Sequence, residues 1–151
     1  MLKPLAALAG VGAIGVGHAL HEAARGFRLR RVQVPVLPPG SVALRVLHLS
    51  DLHLLPQQRF KQEWVSSLAA LEPDLVVDTG DNLASAAAVP AVSTALGRLL
   101  DRPGVFVWGS NDYYSPVLKN PVNYLVKKRP AGGQLPAERQ LPWRDLRADF
   151  E

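Results

Sequence analysis

The sequence predicts an α/β fold built on a layered βαβαβ sheet, and three observations carry that expectation. Three short apolar runs, LRVLHLS (44–50), DLVVDTGD (74–81) and GVFVWGS (104–110), have the length of strands; the near-continuous hydrophobicity of the first marks a strand covered on both faces. Two intervening stretches, 58–71 and 89–100, repeat apolar residues at helical spacing instead. All three runs then give way to polar residues at their carboxyl ends, which in a parallel sheet fall on one edge.

Each element has its own justification. Between Leu2 and Leu20 the only charge is Lys3, within an Ala- and Gly-rich apolar stretch. A bilayer span needs about 20 such residues, so residues 2–20 are expected to associate with a membrane, and 1–26 form a hydrophobic anchor segment. Arg25, Arg28, Arg30 and Arg31 outweigh Lys3 and the amino terminus, which keeps the following domain cytoplasmic by the positive-inside rule. Gly10, Gly12 and Gly15 match G-x-G-x-x-G, but no strand precedes them, so they are not read as a dinucleotide site.

FRLRRVQVPV (27–36) alternates in part and is expected as an edge strand, where Pro35 is tolerated. With the LPPGS turn it makes a basic strand and linker over 27–41, ahead of a domain at 42–151. In the first helix Phe60, Trp64, Leu68 and Leu71 share a face, and Pro73 stops it. The second strand runs into a turn at Gly80. The second helix carries Pro90 in its first turn and Val92, Leu96, Leu99 and Leu100 on its inner side. After the third strand, residues 115–142 are rich in proline and glycine, and a helix begins near Pro142. Alternation of this kind builds right-handed βαβ units and a mostly parallel sheet.

A chain of 151 residues is large enough for one domain with a hydrophobic core. Cysteine is absent, which excludes disulfides and thiolate metal sites. The formal charge of +4 comes mainly from the early arginines and from Lys127, Lys128 and Arg129. These clusters read as solvated faces beside a membrane segment, and nucleic acid is not expected as a partner.

The three exits are chemically compatible. They carry Asp51 and His53, then Asp78, Gly80, Asp81 and Asn82, then Gly109, Ser110, Asn111 and Asp112. Oxygen donors with an imidazole suit Mn, Fe, Zn or Mg more than a soft metal. Each residue also has a plainer reading. Asp51 and His53 can staple a strand end, Asp81 can cap a turn, and Asn111 can sit in a turn at positive φ. Asp78 reads as structural, and His48 as a histidine satisfied within the core.

D-x-H, G-D and a G-N-H-[DE]-like loop, each ending a strand, resemble the calcineurin-like metallophosphoesterases over residues 42–115. The N-terminal segment resembles the membrane-associated bacterial branch, some members of which act on lipid- or nucleotide-linked phosphoesters. The resemblance implies two divalent ions, with Asp51 and His53 on the first, Asp81 bridging both and Asn111 on the second. It implies hydrolysis of a phosphomono- or phosphodiester by a metal-activated water, with Asn111 beside the reacting group. Asp112 is expected to orient its loop, and Tyr113 and Tyr114 to line a substrate cleft.

Two departures from the family pattern bear on this. Ser110 and Asn111 stand where the pattern has Asn and His. Histidine occurs only at 18, 21, 48 and 53, whereas the family's remaining ligands are histidines of a C-terminal half. The chain therefore reads as an N-terminal portion of a longer protein. The alternative is a catalytically disabled chain that binds metal weakly or serves as an interaction module at the membrane.

Overall fold

The computed structural model describes residues 15–18, 26–116 and 139–151. The chain divides into two units, residues 1–39 and 40–151. In the first unit residues 15–18 are helical, and 26–36 run without joining any ladder. The expected edge strand at 27–36 is therefore not formed. Val32, Val34 and Val36 are exposed, and a strand needs a partner's backbone to satisfy its own. Among the described residues no helix is long and apolar enough to cross a membrane. Most of segment 2–20, including Gly10 and Gly12 of the glycine motif, and Lys127, Lys128 and Arg129 lie outside the described residues.

In the second unit three parallel strands, β1 (Val46–Leu49), β2 (Leu75–Asp78) and β3 (Gly104–Phe106), lie in the order β1-β2-β3. Leu47 is level with Val76, and Val76 with Gly104. The crossovers are α1 (Arg59–Ser67) and α2 (Val89–Leu96), each running on into a 3-10 turn. Two further helices follow, α3 (Ser110–Tyr113) and α4 (Trp143–Phe150). The mixed α/β class and the parallel sheet are as the apolar runs predicted.

Leu47, Leu49 and Val76 from the sheet meet Val65, Leu68, Val92, Leu96, Leu99 and Leu146 from the helices in one core. Gly104 pairs with Val76 where β3 lies beside β2, and a β-carbon there would sit tightly, 3.0 Å from the Val76 carbonyl oxygen. The opposite sheet face departs from expectation. β1 alternates exposed and buried instead of being covered twice, and Val46, Val105 and Val107 are exposed. The helices of the described residues lie on one face, so the other has no second layer there. His48 lies on that open side and is exposed, not in the core, with its Nε2 2.9 Å from Thr79 Oγ1. Phe60, expected on the inner face of α1, is 53% exposed, and Val65 fills the core position instead.

Residues 113–115 are hydrogen-bonded to residues 139–141. Ser115 N–H donates to the Arg139 carbonyl at 2.8 Å, and Leu141 N–H to the Tyr113 carbonyl at 2.8 Å. An antiparallel bridge pairs Tyr114 with Gln140 next to the third exit.

Candidate metal centre

The carboxyl edge of the sheet is knitted from backbone hydrogen bonds between the first two exits. Asp51 N–H donates to the Gly80 carbonyl, His53 N–H to the Asp81 carbonyl and Leu54 N–H to the Asn82 carbonyl, at 2.8–2.9 Å. The two loops therefore continue past the end of the sheet as a matched pair. Asp51, His53 and Asp81 all have left-handed backbones, with φ of 55°, 40° and 59°. Such conformations cost of order 1–3 kcal/mol each in non-glycine residues and collect at functional sites.

The three side chains converge. His53 Nε2 lies 3.7 Å from Asp51 Oδ1 and 3.9 Å from Asp81 Oδ2, too far for hydrogen bonds. One donor atom from each lies within 4.8 Å of the others. Two donors about 2.1 Å from a common ion, at 90–110°, are about 3.0–3.4 Å apart. The trio needs only a small closure to share an ion, and its nitrogen and two anionic oxygens suit a divalent metal. Asp51 is the most open of the three, and Ser50 Oγ donates to its Oδ2.

The third exit holds Asp81 from the other side. Asn111 N–H donates to Asp81 Oδ1 at 2.8 Å, and Asn111 Nδ2 to Asp81 Oδ2 at 2.9 Å. The structure thus places Asn111 directly against Asp81, with its amide nitrogen and not its oxygen turned to the carboxylate. Ser110, the other residue that departs from the pattern, is exposed.

Asp112 is the buried hinge of the arrangement. Its Oδ2 accepts from Asp81 N–H at 2.7 Å and Gly109 N–H at 2.9 Å. Its Oδ1 accepts from Asn82 N–H at 2.7 Å and Leu83 N–H at 3.2 Å. One carboxylate with no exposed surface therefore fixes the second and third loops together. Orientation of the loop by Asp112 was legible in the sequence; its grip on Asp81 was not.

Two glycines set how closely these loops approach. Gly80 has φ +87°, and a β-carbon there would lie 2.3 Å from Gly109 N. The need for glycine at 109 is not apparent from the sequence, since its own φ of −88° suits any residue. Asp78 is buried, taking Gly80 N–H at 2.7 Å and Asn82 Nδ2 at 3.1 Å on its Oδ1. Its Oδ2 and Asn82 Oδ1 are buried with no donor among the described residues. Burial pushes the Asp78 carboxyl above the usual carboxylate range, against the smaller opposing pull of those hydrogen bonds.

The sequence model of the calcineurin-like phosphoesterase family matches residues 44–147. A curated relative, a "Transmembrane protein with metallophosphoesterase domain" from Bos taurus, is 39% identical over 107 residues. That alignment covers 67% of this chain and 24% of the relative, so the chain spans about a quarter of its length. No solved structure matches the chain.

Proposed function

The chain belongs to the calcineurin-like phosphoesterase family, and from that premise we propose that it serves in metal-dependent hydrolysis of phosphomono- or phosphodiesters. The observation that carries this reading is the convergence of Asp51, His53 and Asp81 from two strand exits into one donor cluster. We assign those three to a first divalent ion, and Asp81 with Asn111 to a second, as Mn, Fe, Zn or Mg. Bound divalent ions supply Lewis-acid stabilisation of phosphoryl charge and activate a water as nucleophile.

The chain's own residues supply placement. Asp81, held by Asn111 and by the Asp112 grip on its backbone, is the fixed point of the cluster. Joining a second ion requires the Asn111 amide to turn its oxygen inward, since its nitrogen carries no free acceptor. An amide has no proton to lend a leaving group, and a positioned general acid is commonly worth about 10²–10⁴-fold. Phosphoesters of good leaving groups, such as nitrophenyl phosphates, are therefore the preferred substrates of this site.

The unit division after Pro39 and the family match from Leu44 support a catalytic region at 42–151 behind a linker at 27–41. The apolar segment 2–20, and a relative named as a transmembrane protein, support membrane association with that region on the cytoplasmic side. A membrane placement favours a lipid- or nucleotide-linked phosphoester as substrate.

The test is Mn²⁺-dependent turnover of p-nitrophenyl phosphate and bis(p-nitrophenyl) phosphate by the full chain. Turnover abolished by Asp81→Ala supports the proposal. Weak Mn²⁺ binding without turnover favours the second reading, a disabled chain that binds metal weakly or serves as an interaction module at the membrane, to which the Asn at 111 in place of histidine already points.

A further inference from the structure

The peptide unit joining Leu52 to His53 is gripped at both of its polar ends. Its N–H donates to the Asp81 carbonyl at 2.9 Å, and its carbonyl accepts from Lys61 Nζ on α1. Leu52 is 5% exposed, and its part-buried carbonyl takes its donor from the Lys61 side chain. Lysine stems usually carry their ammonium out to water. Here the ammonium turns inward, and burial holds it below the usual lysine range.

Gln58, just before α1, and Gln62 within it act on the rest of the same loop. Gln58 Oε1 accepts from Leu55 N–H at 3.1 Å, and Gln62 Nε2 donates to the Leu55 and Pro56 carbonyls at 3.2 and 3.1 Å. The start of α1 is thus a clamp on residues 52–56, and Lys61 is its member nearest the donor cluster. On either side of the clamped carbonyl stand Asp51 and His53, both in left-handed conformations that local preference does not maintain.

The geometry points to Lys61 as a positioning residue for His53: by holding the Leu52 carbonyl it fixes the peptide plane from which the imidazole is aimed at Asp81. The inference rests on the metal-site reading of Asp51, His53 and Asp81. Lys61 acts from behind the loop and exchanges no proton with it. Groups that orient metal ligands are commonly worth about 10–100-fold in metal affinity.

Lys61→Met keeps the apolar stem and removes the donor, whereas Lys61→Arg keeps a cationic donor. Full-length chains in detergent are compared by Mn²⁺ calorimetry and by amide hydrogen exchange in the absence of metal. The expected result for Lys61→Met is a Kd raised about tenfold or more and faster exchange at His53 N–H. Exchange at Asn82 N–H, held separately by Asp112, stays as in wild type, and Lys61→Arg restores the His53 behaviour. Unchanged Kd and unchanged His53 exchange in Lys61→Met overturn the role. Should Lys61→Met fail to fold, Lys61→Gln is read by the same two measurements. A wild-type chain that binds no Mn²⁺ sinks the metal reading, while His53 exchange still decides whether Lys61 positions that peptide.

Discussion

A β-carbon on Gly109 would lie 2.0 Å from Asp81 Oδ1, so the absence of a side chain at 109 is what lets that carboxylate occupy its place. Gly109→Ala is expected to destabilise the chain by about 1–3 kcal/mol, as overpacking does, because Asp81 and its backbone must move. The same shift should weaken Mn²⁺ binding. Urea denaturation and calorimetry on one preparation check both. Wild-type affinity in a folded Gly109→Ala chain would show that the contact is relieved without cost to the site.

Asp112→Asn keeps the shape of the side chain and removes half of its acceptor capacity. Two of the four backbone N–H groups it now serves would face an amide nitrogen. At about 1–3 kcal/mol for each buried donor left unpaired, the loss should be about 2–6 kcal/mol by urea denaturation. Asp112→Glu, too long for the same position, should not rescue it.

Asp78 gives the pH dependence, and its sign is opposite to that of a salt-bridged carboxylate. Its folded pKa is raised by burial above the ordinary 3.8. The folded state therefore holds its proton longer than the unfolded state does. The associated stability is complete below the unfolded value and is lost as pH rises through the folded one. Asp78→Asn never ionises, and it also removes the unpartnered charged acceptor at the buried Oδ2 position. At neutral pH the variant should be more stable than wild type by about 1–3 kcal/mol. The gap should shrink as pH falls below the folded pKa, measured as unfolding free energy from mildly acidic to neutral pH.

His53→Gly separates strain from function. Glycine accepts a φ of 40° at no steric cost, so the metal-free chain should gain about 1 kcal/mol. Stabilisation by Mn²⁺, about 2.7 kcal/mol when the ion is at a hundred times Kd, should disappear in the same variant. Thermal unfolding with and without a chelator reads both effects. A chain that loses stability without metal would mean that the imidazole has a packing role.

The sheet and the site were legible in the sequence to different depths. Strand order and the two crossover helices follow from local patterns: apolar runs of strand length, and helical spacing ended by Pro73. Convergence of Asp51, His53 and Asp81 followed from placing polar residues at the carboxyl ends of parallel strands. What stayed hidden depends on contacts across the fold. The Gly109 requirement comes from Asp81, 28 residues away, and the four amides on Asp112 come from two loops. Nothing local in α1 distinguishes Lys61 from a solvent-facing lysine. The edge strand expected at 27–36 does not form, because β-rich composition states a preference and not a partner.

The measurement closest to the central claim is calorimetric titration of Mn²⁺ into the full chain and into Asp81→Ala at neutral pH. Saturable binding by wild type, lost in Asp81→Ala while the fold by circular dichroism is retained, is the predicted result. Equal heats for the two proteins would contradict it, and Asp51, His53 and Asp81 would then be a strained strand edge and no metal centre.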